Sequence, residues 1–183
     1  MTRSPEAVGA PEGSRVRLRP VAEEDLDHLE RMLADPEAIG EFNWAGFRDP
    51  RFWRTGWQEN RLLGAPRWTL MVETLDGERV GFVNWRLTNP GSAFECVEFG
   101  LALWPQWRGQ GLGTEAQRLL VNYLFAHTTQ NRVQAGTSID NIAEQRALER
   151  AGFTREGVLR GAAFRNGAWH DEVIYGMVRS DLR

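Results

Sequence analysis

The stretch Glu98-Phe-Gly-Leu-Ala-Leu-Trp-Pro-Gln-Trp-Arg-Gly-Gln-Gly-Leu-Gly-Thr-Glu-Ala116 is where the fold is decided. It begins as the end of an extended run over Ala93–Leu103 and breaks at Pro105. It then passes through Arg108-Gly109-Gln110-Gly111-Leu112-Gly113 into a segment, Thr114–His127, whose Ala116, Leu119, Leu120, Tyr123 and Leu124 recur at helical spacing. A strand, a glycine-rich loop and an amphipathic helix in that order expose several backbone N–H groups in one direction at the positive end of a helix dipole, an arrangement suited to a diphosphate. Glycine lets the backbone adopt positive φ and approach an anion closely. No Lys-Ser/Thr follows, so this is no Walker loop, and the glycine spacing and position do not fit a dinucleotide fingerprint.

Working outward, Val16 and Leu18 alternate with Arg15, Arg17 and Arg19 in a half-buried strand closed by Pro20. Acids at Glu23–Asp25 open a helix carrying Leu26, Leu29, Met32 and Leu33, which Asp35-Pro36 ends. Residues 40–67 are irregular and aromatic, with a helix over Phe52–Arg61. Trp68–Thr74 and Val80–Leu87 flank Asp76-Gly77 as a hairpin. Beyond the long helix come a strand (Arg132–Ile139), a helix (Ala143–Ala151) ended by Gly152, and a closing hairpin, Val158–Phe164 with Trp169–Val178, turning at Asn166-Gly167. The strands on either side of Thr114–His127 imply one parallel crossover in an otherwise antiparallel sheet. The expected class is α+β, a three-layer α/β sandwich. Residues 1–13 read as a flexible tail and 14–183 as one domain.

Composition narrows the function. The net charge is −3 and the basic residues are scattered arginines, so no basic field invites nucleic acid. No apolar run is long enough to span a membrane and the N-terminus does not read as a secretory signal, which together favour a cytoplasmic protein. The single cysteine, Cys96, excludes an internal disulfide and a cysteine metal cluster, and no metal is expected; it reads as a small buried residue.

The quoted stretch resembles the coenzyme A segment of the GNAT acyltransferases, most closely the RimJ/RimL-type branch. Two further stretches agree: Asn141-Ile-Ala-Glu-Gln-Arg-Ala-Leu-Glu-Arg-Ala-Gly-Phe153, and Arg155-Glu-Gly-Val-Leu-Arg160 followed by Asn166-Gly167. The resemblance implies a GNAT fold, a mixed, mostly antiparallel, splayed sheet flanked by helices, in which the strand over Ala93–Leu103 bulges and parts from the next. It implies acetyl-CoA or another acyl-CoA as co-substrate. The pantetheine arm would bond to the backbone of Leu101 and Leu103. Arg108, Gly109, Gln110, Gly111, Leu112 and Gly113 would hold the diphosphate, with Thr114 adding its hydroxyl. Asn141 would bond the pantetheine arm and Arg146 would reach a phosphate. The acceptor would be an amine, a protein N-terminus or a small molecule, and relatives of this branch suggest a homodimer. Two positions depart from the pattern. Glu144 stands where relatives carry Ser, and Leu148 where many place an acidic Tyr.

An ammonium must lose a proton before it can attack a thioester. Glu98, on the central strand and facing away from Val97, Phe99 and Leu101, is the candidate base; the alternative is a structural ion pair with an arginine. His170, Asp171 and Glu172 are weaker candidates on the last strand. Trp44, Trp53 and Trp57 fall in the segment expected to line the acceptor pocket. Trp85 and Trp169 read as strand core, with Trp85 carried as a third acceptor-side candidate beside Trp44 and Trp53. A non-catalytic acyl-CoA-binding module is the competing reading.

Overall fold

The computed structural model describes residues 11–182. In chain order the elements are β1 (Val16–Pro20), α1 (Leu26–Ala34), α2 (Pro36–Ile39), α3 (Phe52–Asn60), β2 (Leu63–Gly64), β3 (Arg67–Thr74), β4 (Arg79–Thr88), β5 (Cys96–Leu103), α4 (Leu112–His127), β6 (Arg132–Ser138), α5 (Ile142–Ala151), β7 (Thr154–Arg165) and β8 (Ala168–Val178), with short 3-10 turns at Glu23–Asp25, Pro105–Trp107 and Arg179–Asp181. The strands form one sheet in the order β1-β3-β4-β5-β6-β8-β7, with β2 on β3. Every pairing is antiparallel except β5 with β6, the crossover that α4 makes. Residues 1–10 of the expected tail lie outside the described part. Its last three residues are tied down, since Leu18 N–H donates to Pro11 O and Gly13 N–H to Val16 O, both at 2.8 Å.

Period-2 alternation sends neighbouring strand residues to opposite faces, and each face has its own core. Leu70, Val72, Val83, Val97 and Phe99 pack under α4 and α5, against Ala116, Leu120, Leu124 and Leu148. Met71, Phe82 and Ala102 face the other way, against Leu26, Leu29 and Met32 of α1, Ile39 of α2 and Trp53 of α3. These are the three layers that the sequence implies.

The outer strands are locked by a partly buried ion network. Glu73 of β3 receives Arg17 and Arg19 of β1. Asp25, fully buried, receives Arg19 at 2.6 Å and Arg79 of β4 at 2.7 Å, and also accepts from Ala22 N–H at 2.8 Å. Loss of water pushes the Asp25 carboxyl up, but those hydrogen bonds outweigh it and leave the pKa at about 2.

The expected bulge in the central strand is absent. β5 keeps unbroken register with β4 from Cys96 to Leu103. The splay is nevertheless there, because β5 and β6 pair only at Val97↔Val133 and Glu98↔Gln134. Beyond that point the two strands have other partners or none: β6 stays on β8 up to Ser138, while one edge of Phe99–Leu103 carries no strand.

Asp25→Asn is expected to lower stability at pH 7 by about 3 kcal/mol, because it strands Arg19 and Arg79 without their shared carboxylate. The folded pKa lies below the ordinary 3.8, so this contribution is complete above about pH 4 and disappears as the pH falls through about 2. Urea melts at pH 7 check it; an Asp25→Asn protein as stable as the parent there refutes the account.

Candidate active site

The glycine loop behaves as its composition suggests. Gly111 caps α4 with φ 78° and Gly109 has φ 72°, both in the left-handed region that favours glycine. Gly113 has another role: a Cβ there would sit 3.0 Å from Leu101 Cδ2, so its lack of a side chain lets α4 lie close on β5. No side chain caps α4, and Glu115 N–H is the first in the helix to find a carbonyl, Gly111 O at 3.3 Å. Among the described residues, the N–H groups from Gly109 to Thr114 have no acceptor, and together they form a nest that could hold an anion. A Cβ on Gly109 would meet nothing within 4 Å, so the mouth of the nest is open. Leu112 contributes only backbone, its side chain being buried in the core under α4.

Arg108 departs from expectation. Its backbone N–H bonds Pro105 O, and its guanidinium bonds Leu103 O at 2.9 Å and the carbonyls of Glu37 and Ala38 in α2. It braces the loop against α2 with three of its five N–H groups. Arg15, which the sequence reading passed over, takes a position nearer the role expected of Arg108. It bonds Gln110 O at 2.8 Å and Glu115 at 3.1 Å while half of its side chain stays in solvent beside the loop. It stands just before β1, and its partners lie 95 and 100 positions away, which local pattern cannot reveal.

Leu101 and Leu103 lie on the unpaired edge of β5, the position expected for backbone bonds to an extended arm. Across the gap, Asn141 caps α5, accepting from Glu144 N–H at 3.2 Å and donating to Thr137 Oγ1 at 3.1 Å. Arg146 is exposed on α5 and makes no ion pair among the described residues. Gln110 is exposed, with its amide turned back to Gln106 O at 2.7 Å.

On the α1–α3 side of the sheet a cavity of about 660 Å³ opens against Gly100, Leu101 and Ala102 of β5. Ile39, Phe52, Trp53 and Phe82 form its apolar wall, and Asn84, Arg48, Arg67 and Arg86 its polar side. Trp53 is among its lining residues. Trp44 is not: it packs at the rim of the core behind the cavity, edge-on to Phe47. Trp85 keeps its reading as strand core and loses the acceptor-side one. Its position on β4 is of opposite parity to Phe82 and Asn84, so it faces α4 and stacks between Trp68 and Tyr123, on the far side of the sheet. Trp169, read as core, is 68% exposed on the β7–β8 hairpin against Phe164.

Glu98 lies next to this cavity in a cross-strand ion pair. Arg86, itself a lining residue, meets Oε1 at 2.6 Å, and Gln134 of β6 donates to Oε2 at 3.2 Å. The ion pair that the sequence left open as an alternative is thus present, and the Glu98 side chain stays 30% exposed. His170 sits 4.0 Å from Asp140, and Asp171 accepts from Gly161 N–H at 2.8 Å; neither lines the cavity. Neither tyrosine stands in for the missing acid: Tyr123 packs on Trp85, and Tyr175 bonds Glu149 at 3.0 Å. Cys96 is buried, 3.0 Å from Thr88 Oγ1.

The sequence model of the acetyltransferase (GNAT) domain matches residues 15–154. This chain belongs to the GNAT family. Among curated proteins, this GNAT chain is 35% identical to the probable N-acetyltransferase YjcK of Bacillus subtilis over 89 residues, 49% of each protein, so the chain spans about half the length of that relative. A T. thermophilus protein assigned to the acetyltransferases is 31% identical over 99% of this chain and 93% of that one, with a TM-score of 0.71. The spermidine N-acetyltransferase of Vibrio cholerae, solved with CoA and spermine, shares the fold at 18% identity, a TM-score of 0.80 and coverage of 92% and 98%. Among the described residues of this GNAT protein, no helix is long and apolar enough to cross a membrane.

Glu144, one of the two departures from the expected pattern, is sunk between α4 and α5. Loss of water raises its pKa to about 7, against a smaller opposing effect of the 2.7 Å hydrogen bond from the buried Gln117 amide. The folded protein holds this proton to about pH 7 while the unfolded chain releases it near 4.5, so stability falls as the pH rises between those values. Glu144→Gln is expected to raise stability at pH 8 by on the order of 2 kcal/mol and to change it little at pH 5. Melting curves at both pH values test this; an equal shift at the two would show that the carboxyl's ionisation has no part in it.

Proposed function

We propose that this protein transfers an acetyl group, or another short acyl group, from acyl-CoA to the nitrogen of an amine, with both substrates bound at once. One observation carries the reading. The open edge of β5 and the cavity meet on the same three residues, Gly100–Ala102, and the anion nest opens one short turn beyond them. A donor lying along that edge would bring its acyl end to the cavity where an acceptor would sit.

Bound there, the acyl-CoA supplies an activated thioester. The chain does the rest. The N–H groups from Gly109 to Thr114 hold the diphosphate, with Arg15 adding positive charge. The backbone of Leu101 and Leu103 bonds the pantetheine amides, and Asn141 and Arg146 face the arm from α5. An N–H on the same open edge stabilises the negative charge that grows on the acyl oxygen. Glu98 accepts the proton of the incoming ammonium, directly or through water, while Arg86 and Gln134 fix its orientation. The amine lone pair forms the C–N bond as the C–S bond breaks. A thiol of pKa about 8.5 leaves with little help, so the reaction tolerates Leu148 in place of an acid. Holding the two reactants side by side supplies much of the remaining rate.

Calorimetric titration with acetyl-CoA is expected to give micromolar binding that Gly111→Val weakens at least roughly tenfold, since a β-branched residue resists φ 78° and closes the nest. In a thiol-release assay, Glu98→Gln is expected to lower kcat roughly 100-fold at unchanged acetyl-CoA affinity. Unchanged kcat would return Glu98 to a purely structural ion pair. Binding without turnover of any amine would leave a non-catalytic acyl-CoA-binding module.

A further inference from the structure

The cavity has more positive charge than its own acids can balance. Arg48, Arg67 and Arg86 line it, against one lining carboxylate, Asp49. The nearby acids are already matched. Asp49 takes two nitrogens of Arg51 at 3.0 and 3.1 Å, and Glu98 takes Arg86 at 2.6 Å. Arg67 is left over. It is half-buried, and its hydrogen bond among the described residues is a long one, 3.4 Å, to the Asn84 amide oxygen. No described carboxylate lies within ion-pair distance of Arg67 or Arg48. Loss of water, then the charges of Arg86 and Arg48, lower the pKa of Arg67, and the more distant Glu98 only partly offsets them.

A half-buried cation without a counter-ion is costly, and a guanidinium is shaped to take a carboxylate on two parallel N–H bonds. A polyamine would bring further positive charge to the same wall. Trp53, Phe82 and Phe52, which line the same cavity, offer an aromatic surface with no charge. The geometry points to an acceptor amine that carries its own carboxylate and an apolar body, the carboxylate held by Arg67 with Arg48 and the apolar part laid against Trp53 and Phe82. This rests on the cavity being the acceptor site. The carboxylate can belong to a free amino acid or to an acidic residue beside a peptide's N-terminal amine.

The test reads the anion site without requiring turnover. N-acetylphenylalanine and N-acetylphenylalaninamide, which differ in the carboxylate alone, are titrated by calorimetry into the CoA-loaded protein. The acid is expected to bind roughly tenfold tighter or more. Arg67→Gln should erase that difference. Arg48→Gln, at an exposed position, should shrink it several-fold, and parental CoA affinity in both variants shows them intact. No binding of either compound, equal binding of the two, or a preference that survives Arg67→Gln overturns the inference. Turnover of phenylalanine, phenylalaninamide, an Asp-led peptide and spermidine is measured alongside. A lead in kcat/KM for phenylalanine or for the peptide supports the inference and tells the two carboxylate sources apart. A lead for spermidine overturns it. Arg67-dependent binding of the acid with no amine acetylated would defeat the transfer reaction and leave the carboxylate site standing.

Discussion

Two adjacent strands that stay together for only two residue pairs govern the rest of this molecule. The parting is stable because each half of the sheet is complete without the other. β5 is satisfied along its length by β4, and β6 by seven pairs with β8. Neither has to bend toward the other, so the open edge of Phe99–Leu103 is left with backbone groups that want partners. Everything that reads as function is arranged around that edge: the nest at its end, the cavity on one face, and the capped start of α5 across the gap. A local bulge in β5 is unnecessary when the whole of one strand pair diverges.

Charge in this chain is handled almost wholly by guanidinium groups, since all 22 basic residues are arginine. They divide into kinds by what they meet. Arg17, Arg19 and Arg79 meet buried carboxylates and lock the outer strands. Arg108 and Arg179 meet main-chain carbonyls that their elements leave over, in α2 and at the end of α4. Arg67 meets an amide oxygen and no described acid, and it lines the cavity together with Arg48 and Arg86. A planar five-donor group suits all three settings, where an ammonium would suit the first best.

Much of this was legible in the sequence, and the reasons differ by element. The loop Arg108–Gly113 and the helix after it could be read because glycine spacing and apolar period are local properties. The order of strands followed from turn residues such as Asp76-Gly77 and Asn166-Gly167. Small elements such as β2 and α2 escaped because two to four residues carry no period. Trp85 was misplaced although the parity of β4 was available: counting from Phe82 sends residue 85 to the other face. Trp169 was misplaced because alternation does not tell whether a second layer covers a hairpin. The roles of Arg108, Arg15 and Arg67 were closed to local reading, since each is set by groups brought from distant parts of the chain or by a missing partner.

The two cores meet only through the sheet, one beneath α4 and α5 and the other beneath α1 to α3. The proposed donor site is built on the first, and the walls of the cavity on the second. Substitutions that reshape the cavity therefore draw on a different reserve of stability from those that hold the cofactor. That separation gives the scaffold room to drift: an ancestral protein of this plan can exchange one acceptor for another by small steps while its handle on the donor is inherited intact.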